Sequence, residues 1–468
     1  MPKRTIRLNS IMIKNLKNVK NGTISFINKR KPYKASILGL YGQNGSGKTA
    51  LVDALQLLKY VLCGQQIPGK YVDYINIDAD FAELAFQFQM DMEEKKYDIW
   101  YQFNIRKNND DTFVNLQEND DETVENKVEI FDEVLSYACV YGEEKKRKSA
   151  LIDTRTEEVF CPRSKYCELT GNDDSLMTDL ILTKRYVKFT SRSFIFSREM
   201  IKIFRQKCAV QEYLSVIEGL LLYGNRELFV INTDYSGWIS LDELPLVFKY
   251  RGEKSEAVGN IMLPLDAPAA ISVETADLVK KIISNMNIVL EQIVPDLKID
   301  FMDLGSTILK NGNLGRSIQL ISLKNGKAIP FRYESEGIKK IVSILQLFIV
   351  VYNNPSITVA IDEIDTGIFE YLLGEILNII SEKGKGQLLF TSHNLRPLET
   401  IDKGFIAFTT TNPDNRYIRM TNVKENNNLR DFYYRDIVLG EQDEQLYNST
   451  NNYEIALAFR EAGEVFGS

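Results

Sequence analysis

Short apolar or alternating runs at Ile11–Ile13, Thr23–Phe26 and Ala35–Tyr41, each bounded by polar turns, predict three strands near the start of the chain. The third leads directly into a glycine-rich loop and then into ALVDALQLLKYVL (Ala50–Leu62), whose apolar positions recur every three or four residues. That order reads as strand, loop, helix. Alternation returns at Ala82–Met90 and Tyr97–Ile105, before an acidic, Asn-rich stretch from Asn108 to Lys127 that reads as a solvated loop or a long hairpin end. Residues 197–224 and 273–293 have helical spacing. Residues 131–315 contain no phosphate-binding or metal motif, and the expectation there is an inserted, mostly helical domain. It has no sustained heptad run and no fixed-period repeat. From residue 318 the pattern changes again: a strand at Ile318–Lys324, a helix from Glu336 to Tyr352, a buried run Ile357–Ile361, a helix near Phe369–Ser381, and Leu388–Thr391. Continuous apolar strands alternating with helices predict a parallel sheet covered on both faces. Residues 1–130 and 316–468 are therefore expected to build one split α/β head around the insertion.

The chain has 468 residues, 44% hydrophobic and 26% charged, which excludes disordered and disulfide-scaffold classes and suggests more than one packing unit. A net charge of −7 does not favour general nucleic-acid binding, so any DNA contact is expected to be local and secondary. Residues 1–34 are the exception, with ten Lys/Arg and no acid. They read either as a basic patch or as a hairpin whose lysines guard its edges. Five cysteines without a CxxC pair, and a single histidine, leave a zinc site few ligands, so the cysteines read as free thiols. The start lacks an apolar leader, and no apolar run approaches the roughly 20 residues of a membrane span. The expected location is the cytoplasm, with no membrane partner.

Gly42-Gln43-Asn44-Gly45-Ser46-Gly47-Lys48-Thr49 fits G-x-x-x-x-G-K-[ST] in the strand–loop–helix context that this motif requires. Its glycines let backbone N–H groups wrap phosphates at a helix N-terminus, Lys48 can reach the β/γ-phosphates, and Thr49 can ligate Mg²⁺. Asn44 through Thr49 are the expected nucleotide-binding residues, with ATP and Mg²⁺ as cofactors. The apolar run ending in Asp362-Glu363 has the form of a Walker B strand, in which Asp362 serves the metal and Glu363 orients the attacking water. A strand ending in two acids is common by itself; its coexistence with the phosphate loop gives it weight. Asp78-Ala79-Asp80 has no matching acid cluster and reads as a solvated turn.

Three further features resemble the ATP-binding-cassette branch of P-loop enzymes. His393, which alone would read as structural, stands where cassette enzymes place the histidine that contacts the γ-phosphate. Ser335-Glu336-Gly337, at a predicted helix start where a serine is ordinarily a cap, occupies the position of the signature that completes the neighbour's site. Asp365 occupies the position of the loop that crosses the dimer. With these elements in order, and with the opening Ile11-Met12-Ile13-Lys14-Asn15-Leu16-Lys17-Asn18-Val19, the chain resembles the RecF, Rad50 and SMC-like ATPases, including the OLD-like defence ATPases, over residues 1–105 and 318–411. It departs from them in reading Ser-Glu-Gly for Ser-Gly-Gly and in offering no clear Q-loop glutamine. The resemblance implies an ATPase with Glu363 and His393 as catalytic residues, assembled as a homo-oligomer of ATP-dependent head dimers. The layout looks most like the AriA-like subunits of PARIS-type anti-phage systems. That implies a Toprim effector nuclease of AriB-like type as partner and a phage anti-restriction protein as trigger. The 57 residues after Thr411 are too few for a Toprim domain of about a hundred, so the nuclease is expected on another chain. A Septu-like ATPase with an HNH partner and a RecF-like repair ATPase are the alternatives.

Overall fold

The computed structural model describes residues 4–28, 35–108, 127–173, 175–233, 243–251, 256–309, 311–421, 423, 428–440 and 442–465. Most of the expected acidic loop, and Lys3, Lys29, Arg30, Lys31 and Lys34 of the basic segment, lie outside these residues. The first third of the chain forms β1 (Arg4–Leu16), β2 (Val19–Ser25), β3 (Ser36–Tyr41), α1 (Lys48–Leu62), β4 (Phe81–Met92), β5 (Lys95–Lys107), β6 (Val128–Tyr141) and β7 (Glu144–Asp153). Six of these strands make an antiparallel sheet in the order β2-β1-β4-β5-β6-β7. Burial alternates along β4, the mark of a sheet with one face on a core.

Four helices follow: α2 (Arg163–Thr170), α3 (Leu176–Phe189), α4 (Arg198–Lys207) and α5 (Gln211–Arg226). They are the inserted helical region. The single helical stretch expected over 197–224 is broken, because Cys208 turns to an extended backbone and the Ala209 amide donates to the Glu168 carbonyl of α2 at 3.1 Å. Next come β8 (Leu228–Ile231), β9 (Glu243–Arg251), β10 (Glu256–Pro264), β11 (Ala269–Ser272), α6 (Val273–Ile293), β12 (Leu297–Ile308), β13 (Leu314–Lys324) and β14 (Lys327–Pro330). The chain closes with α7 (Glu336–Asn353), β15 (Thr358–Ile361), α8 (Glu370–Lys383), β16 (Gln387–Thr391), α9 (Pro397–Thr400), β17 (Ile406–Thr409), β18 (Tyr417–Ile418), α10 (Leu429–Leu439) and α11 (Asn452–Val465).

The expected 130/131 boundary falls inside β6 and the expected 315/316 boundary inside β13. β8, from the middle of the expected insertion, pairs in parallel with β15 and belongs to the head.

The head is organised by a second sheet, β18-β17-β3-β16-β15-β8, parallel except for β18. It is assembled from the start, middle and end of the chain, which makes the α/β P-loop head split. Side chains alternate across it with period two. Leu38, Leu40, Val230, Ala360 and Leu389 join the core shared with α1, α5 and the antiparallel sheet. Ile37, Tyr41, Ile231, Ile361 and Phe390 face the core that includes α6, α7 and α8. Two polar side chains, buried Gln387 and half-buried Arg7, lock the sheets together. Gln387 accepts from the Leu8 amide at 2.7 Å and donates to the Leu8 carbonyl at 2.7 Å, so its amide pairs with β1 as a strand would. Arg7 donates to the carbonyls of Pro355 and Lys385 and to the Ser36 hydroxyl. Among the described residues no helix is long and apolar enough to cross a membrane.

Candidate functional site

The phosphate loop leaves the end of the central strand β3 and enters α1. Gly42 has φ +153, and a Cβ there would lie 1.8 Å from Thr409 Oγ1 on β17, so the neighbouring strand end leaves room only for glycine. Gly47 caps α1 from the left-handed region, and no side chain caps the helix. With no acid in the first turn of α1, its leading amides and the positive end of its dipole suit an anion. The loop is braced from within and from β17: Ser46 donates from its amide (3.2 Å) and its hydroxyl (2.6 Å) to the Gln43 carbonyl, and the hydroxyl lies 2.5 Å from Thr409 Oγ1. Outside the loop, Asn18 donates to the Gly45 carbonyl and the Tyr417 hydroxyl donates to the Gly47 carbonyl at 2.9 Å. Asn44 and Gly45 are exposed at the tip, and Thr49 is half-buried.

Lys48 folds back over this loop and donates from Nζ to the carbonyls of Gly42 (2.8 Å) and Gln43 (3.0 Å). Burial pushes its ammonium pKa down, and the nearby Asp362, Glu363 and Asp365 oppose that shift. The cation of the loop and the carboxylates beyond β15 thus share one electrostatic environment.

Because β15 and β16 are parallel neighbours, their C-terminal ends bring Asp362, Glu363 and Thr391 together. The Thr391 hydroxyl donates to Asp362 Oδ1 at 2.5 Å and accepts from the Glu363 amide at 2.8 Å. Asp362 Oδ2 is buried and has no hydrogen-bond partner among the described residues. Burial without a partner is costly for a carboxylate oxygen, and a cation satisfies it. Asp362, with Thr49 in the first turn of α1 as the second candidate ligand, fits Mg²⁺, which keeps waters and phosphate oxygens and takes one or two protein ligands. An all-protein metal cage does not fit, since no group of three or more His, Cys, Asp or Glu is placed to hold a metal among the described residues. Glu363 itself adopts φ 48, an uncommon conformation for a residue with a side chain.

Asp365 accepts from the amides of His393 (3.1 Å) and Asn394 (2.9 Å), which ties the segment after β16 to the loop after β15. The structure thereby places Asp362, Glu363, Asp365 and the exposed His393 around one loop cluster. The signature residues border this arrangement. Ser335 caps α7 by accepting from the Ile338 amide, and both Ser335 and Glu336 are exposed. A Cβ on Gly337 would lie 2.1 Å from the Gly367 carbonyl, so the signature turn packs against the loop that carries Asp365. Among the described residues, neither Ser335 nor Glu336 hydrogen-bonds to the phosphate loop of its own chain.

Two residues that belong to no motif enter the site. Thr391 reads in sequence as the last apolar-flanked residue of a strand, and only the β15–β16 pairing shows that its hydroxyl serves both acids. Lys340, buried in α7, has its pKa lowered by burial against the opposing pull of Glu363, Asp362 and Asp365. Its signal in the sequence is a lysine inside the apolar run that follows Gly337.

A family model described as an AAA domain matches residues 10–213, the span that contains the phosphate loop. No curated protein sequence matches the chain. Among solved structures, the chain is similar to the Smc head bound to the C-winged helix domain of ScpA at 13% identity, covering 88% of this chain and 97% of that one with a TM-score of 0.39. It is similar to the SMC head domain from Thermotoga maritima at 12% identity, covering 88% and 99%, with a TM-score of 0.37. It is also similar to the recombination mediator protein RecF with ATPrS at 12% identity, covering 89% and 98%, with a TM-score of 0.34. The split parallel sheet, the phosphate loop on its central strand and the family match identify an ATP-binding and ATP-hydrolysing P-loop ATPase domain with a split α/β head.

Proposed function

We propose that this chain is a nucleotide-driven switch in which two copies pair face to face over ATP and separate on hydrolysis, acting in a DNA-associated pathway as RecF-like ATPases do. The observation that carries the switch is the division of the chemistry. The phosphate loop, Asp362 and Glu363 share one electrostatic environment, whereas Ser335 and Glu336 are exposed and, among the described residues, make no hydrogen bond to the phosphate loop of their own chain. In this reading Asn44 through Thr49 bind the nucleotide, with Thr49 and Asp362 holding Mg²⁺. Glu363 orients the attacking water, His393 approaches the γ-phosphate, and Ser335 and Gly337 complete the site of the other copy. Asp365 lies at the crossing between the two copies. Mg²⁺ would supply neutralisation of the phosphate charge. Because ligands shift only equilibria between states they bind unequally, ATP must bind the pair better than the single copy.

A DNA role is supported locally by β7, an edge strand on which Lys145, Arg147 and Lys148 are exposed. A second reading is the scaffold of a two-gene anti-phage system of the PARIS type, holding a Toprim nuclease and freeing it when a phage anti-restriction protein binds. It is supported by the net charge of −7 and by α11, whose exposed apolar side chains call for a protein surface.

The pairing is tested by native mass with and without ATP. Glu363→Gln should double in mass with ATP, and Lys48→Ala should stay single; unchanged ATP turnover in Glu363→Gln would remove Glu363 from its role. ATPase activity stimulated by DNA and lost with rising salt favours the first reading. A stable complex with a co-expressed nuclease, without DNA stimulation, favours the second.

A further inference from the structure

The segment after α10 is a strap that ends at the nucleotide site. Glu444 accepts from the side-chain amides of Asn412 and Asn415, Gln445 accepts at its carbonyl from the Thr411 amide at 2.8 Å, and Leu446 is buried. The Asn448 amide then donates to Gln43 Oε1, inside the phosphate loop, at 2.9 Å. Asn448 stands only four positions before the start of α11, a reach of at most about 14 Å. α11 is thus rooted at the rim of the phosphate loop.

Every described side chain of α11 is exposed, including Tyr453 (77%), Ile455 (42%), Leu457 (40%) and Phe459 (78%). At about 100° per residue, Tyr453 and Leu457 lie on one side of the helix and Ile455 and Phe459 on the opposite side. A helix that is apolar on opposing sides is built to be enclosed, and an apolar cluster of this kind marks an interaction surface. The described part of its own chain does not cover it.

A matching surface surrounds the signature. Tyr333 (65%) lies two residues before Ser335, Phe369 (71%) two residues after Gly367, and Tyr371 (53%) is the second residue of α8. The Arg332 guanidinium lies on the Tyr333 ring and, among the described residues, pairs with no carboxylate, while α11 offers Glu454 and Glu461. The two surfaces match in apolar character, and Arg332 is opposite in sign to the two acids of the arm, while Glu336 and Glu370 are exposed on the same surface and Arg460 on the arm.

We infer that α11 is an arm that docks onto a second copy of this chain, against Tyr333, Phe369 and Tyr371 beside that copy's signature. The inference rests on the proposed pairing, which brings the phosphate-loop rim of one copy against the signature of the other. The arm lengthens that contact by a helix of 14 residues, about 21 Å. Its root on Gln43 makes its position dependent on the state of the loop that binds nucleotide.

The test uses the full chain with Glu363→Gln and a benzophenone amino acid at position 459, mixed as ¹⁵N-labelled and unlabelled copies with and without ATP. The expected result is an ATP-dependent photo-crosslink from position 459 of one copy to a peptide holding Tyr333 or Phe369 of the other. Phe459→Asp, at a fully solvent-facing position, should weaken ATP-dependent pairing by about tenfold or more. If ATP doubles the mass but the crosslink stays within one copy, reaches a different protein or is absent, and Phe459→Asp pairs as tightly as its parent, the arm is overturned and the pairing survives. If ATP does not double the mass, the pairing fails and the arm falls with it.

Discussion

Thr391 provides the most direct test of how the fold builds the site, because one hydroxyl positions both acids. In Thr391→Val the side chain keeps its shape and β-branching but loses the donation to Asp362 Oδ1 and the acceptance from the Glu363 amide. A hydrogen bond to a charged group contributes about 1.5–3 kcal/mol, and a stranded amide costs about 1–3 kcal/mol. Glu363 is only half-buried, so water can reach its amide and the lower end of the second range applies. The expected loss of stability is about 2–4 kcal/mol, read as a lowered urea midpoint. The catalytic consequence differs in kind. With Thr391 gone, Asp362 can rotate and Glu363 loses the tether of its strained φ 48 backbone. A misplacement of about 1 Å costs about a hundredfold in rate. Steady-state ATP hydrolysis should therefore fall by about ten- to a hundredfold, while fluorescent ATP measured without Mg²⁺ binds as before, since the phosphate loop is untouched. Thr391→Ser, which keeps the hydroxyl, should recover most of the rate. A Thr391→Val enzyme that turns over ATP within twofold of the parent would refute the reasoning, whatever its stability.

Gln387→Leu leaves both the amide and the carbonyl of buried Leu8 without partners, which should cost about 2–4 kcal/mol in urea unfolding. Gly337→Ala sets a Cβ 2.1 Å from the Gly367 carbonyl; in the Glu363→Gln background it should abolish the ATP-dependent doubling of mass while leaving nucleotide binding intact. Burial pushes the Glu129 carboxyl up, but Arg106 and Lys188 together pull it below its ordinary 4.5. Its contribution to stability is therefore complete above that value and fades as pH falls through the lowered pKa, so Glu129→Gln should flatten the loss of stability on acidification below pH 4.5.

What could be read in the sequence was whatever the chemistry writes locally. The phosphate loop announces itself because a tight anion cradle needs glycine at fixed offsets from a strand and a helix, and Asp362-Glu363 because the buried strand keeps its run apolar up to the sheet's end, where acids can follow. Periodicity also placed α6 at its true bounds, 273–293. The rest depends on partners distant in the chain. β8 is four apolar residues directly after a helix, too short to tell from a continuation of α5 until its pairing with β15 is known. β7 begins with EKKRKS, an exposed edge with no apolar alternation to mark it. The break between α4 and α5 has neither Gly nor Pro and is set by a contact with α2. Thr391 has no motif because its role depends on the neighbour that β16 acquires, and the strap is silent because Asn448 meets Gln43 across 405 residues.

The loop from Glu363 to Gly367 concentrates these relationships. At one end Glu363 is tethered through its amide to Thr391, and at the middle Asp365 holds the amides of His393 and Asn394. At the other end Gly367, at φ +76, packs its carbonyl against the signature turn at Gly337. A chain in this arrangement cannot move Glu363 without also moving the turn that presents Ser335, because five consecutive residues span both and a close-packed contact transmits displacement. In the proposed pair, the turn so moved would serve the other nucleotide site. Hydrolysis at one site would thus be reported to the second through backbone contact, with no separate relay. Lys340, on the same helix as the signature and in the field of Asp362, Glu363 and Asp365, adds an electrostatic link along the same path. A cooperative dependence of ATP turnover on ATP concentration, lost in Gly337→Ala, is the behaviour this geometry requires.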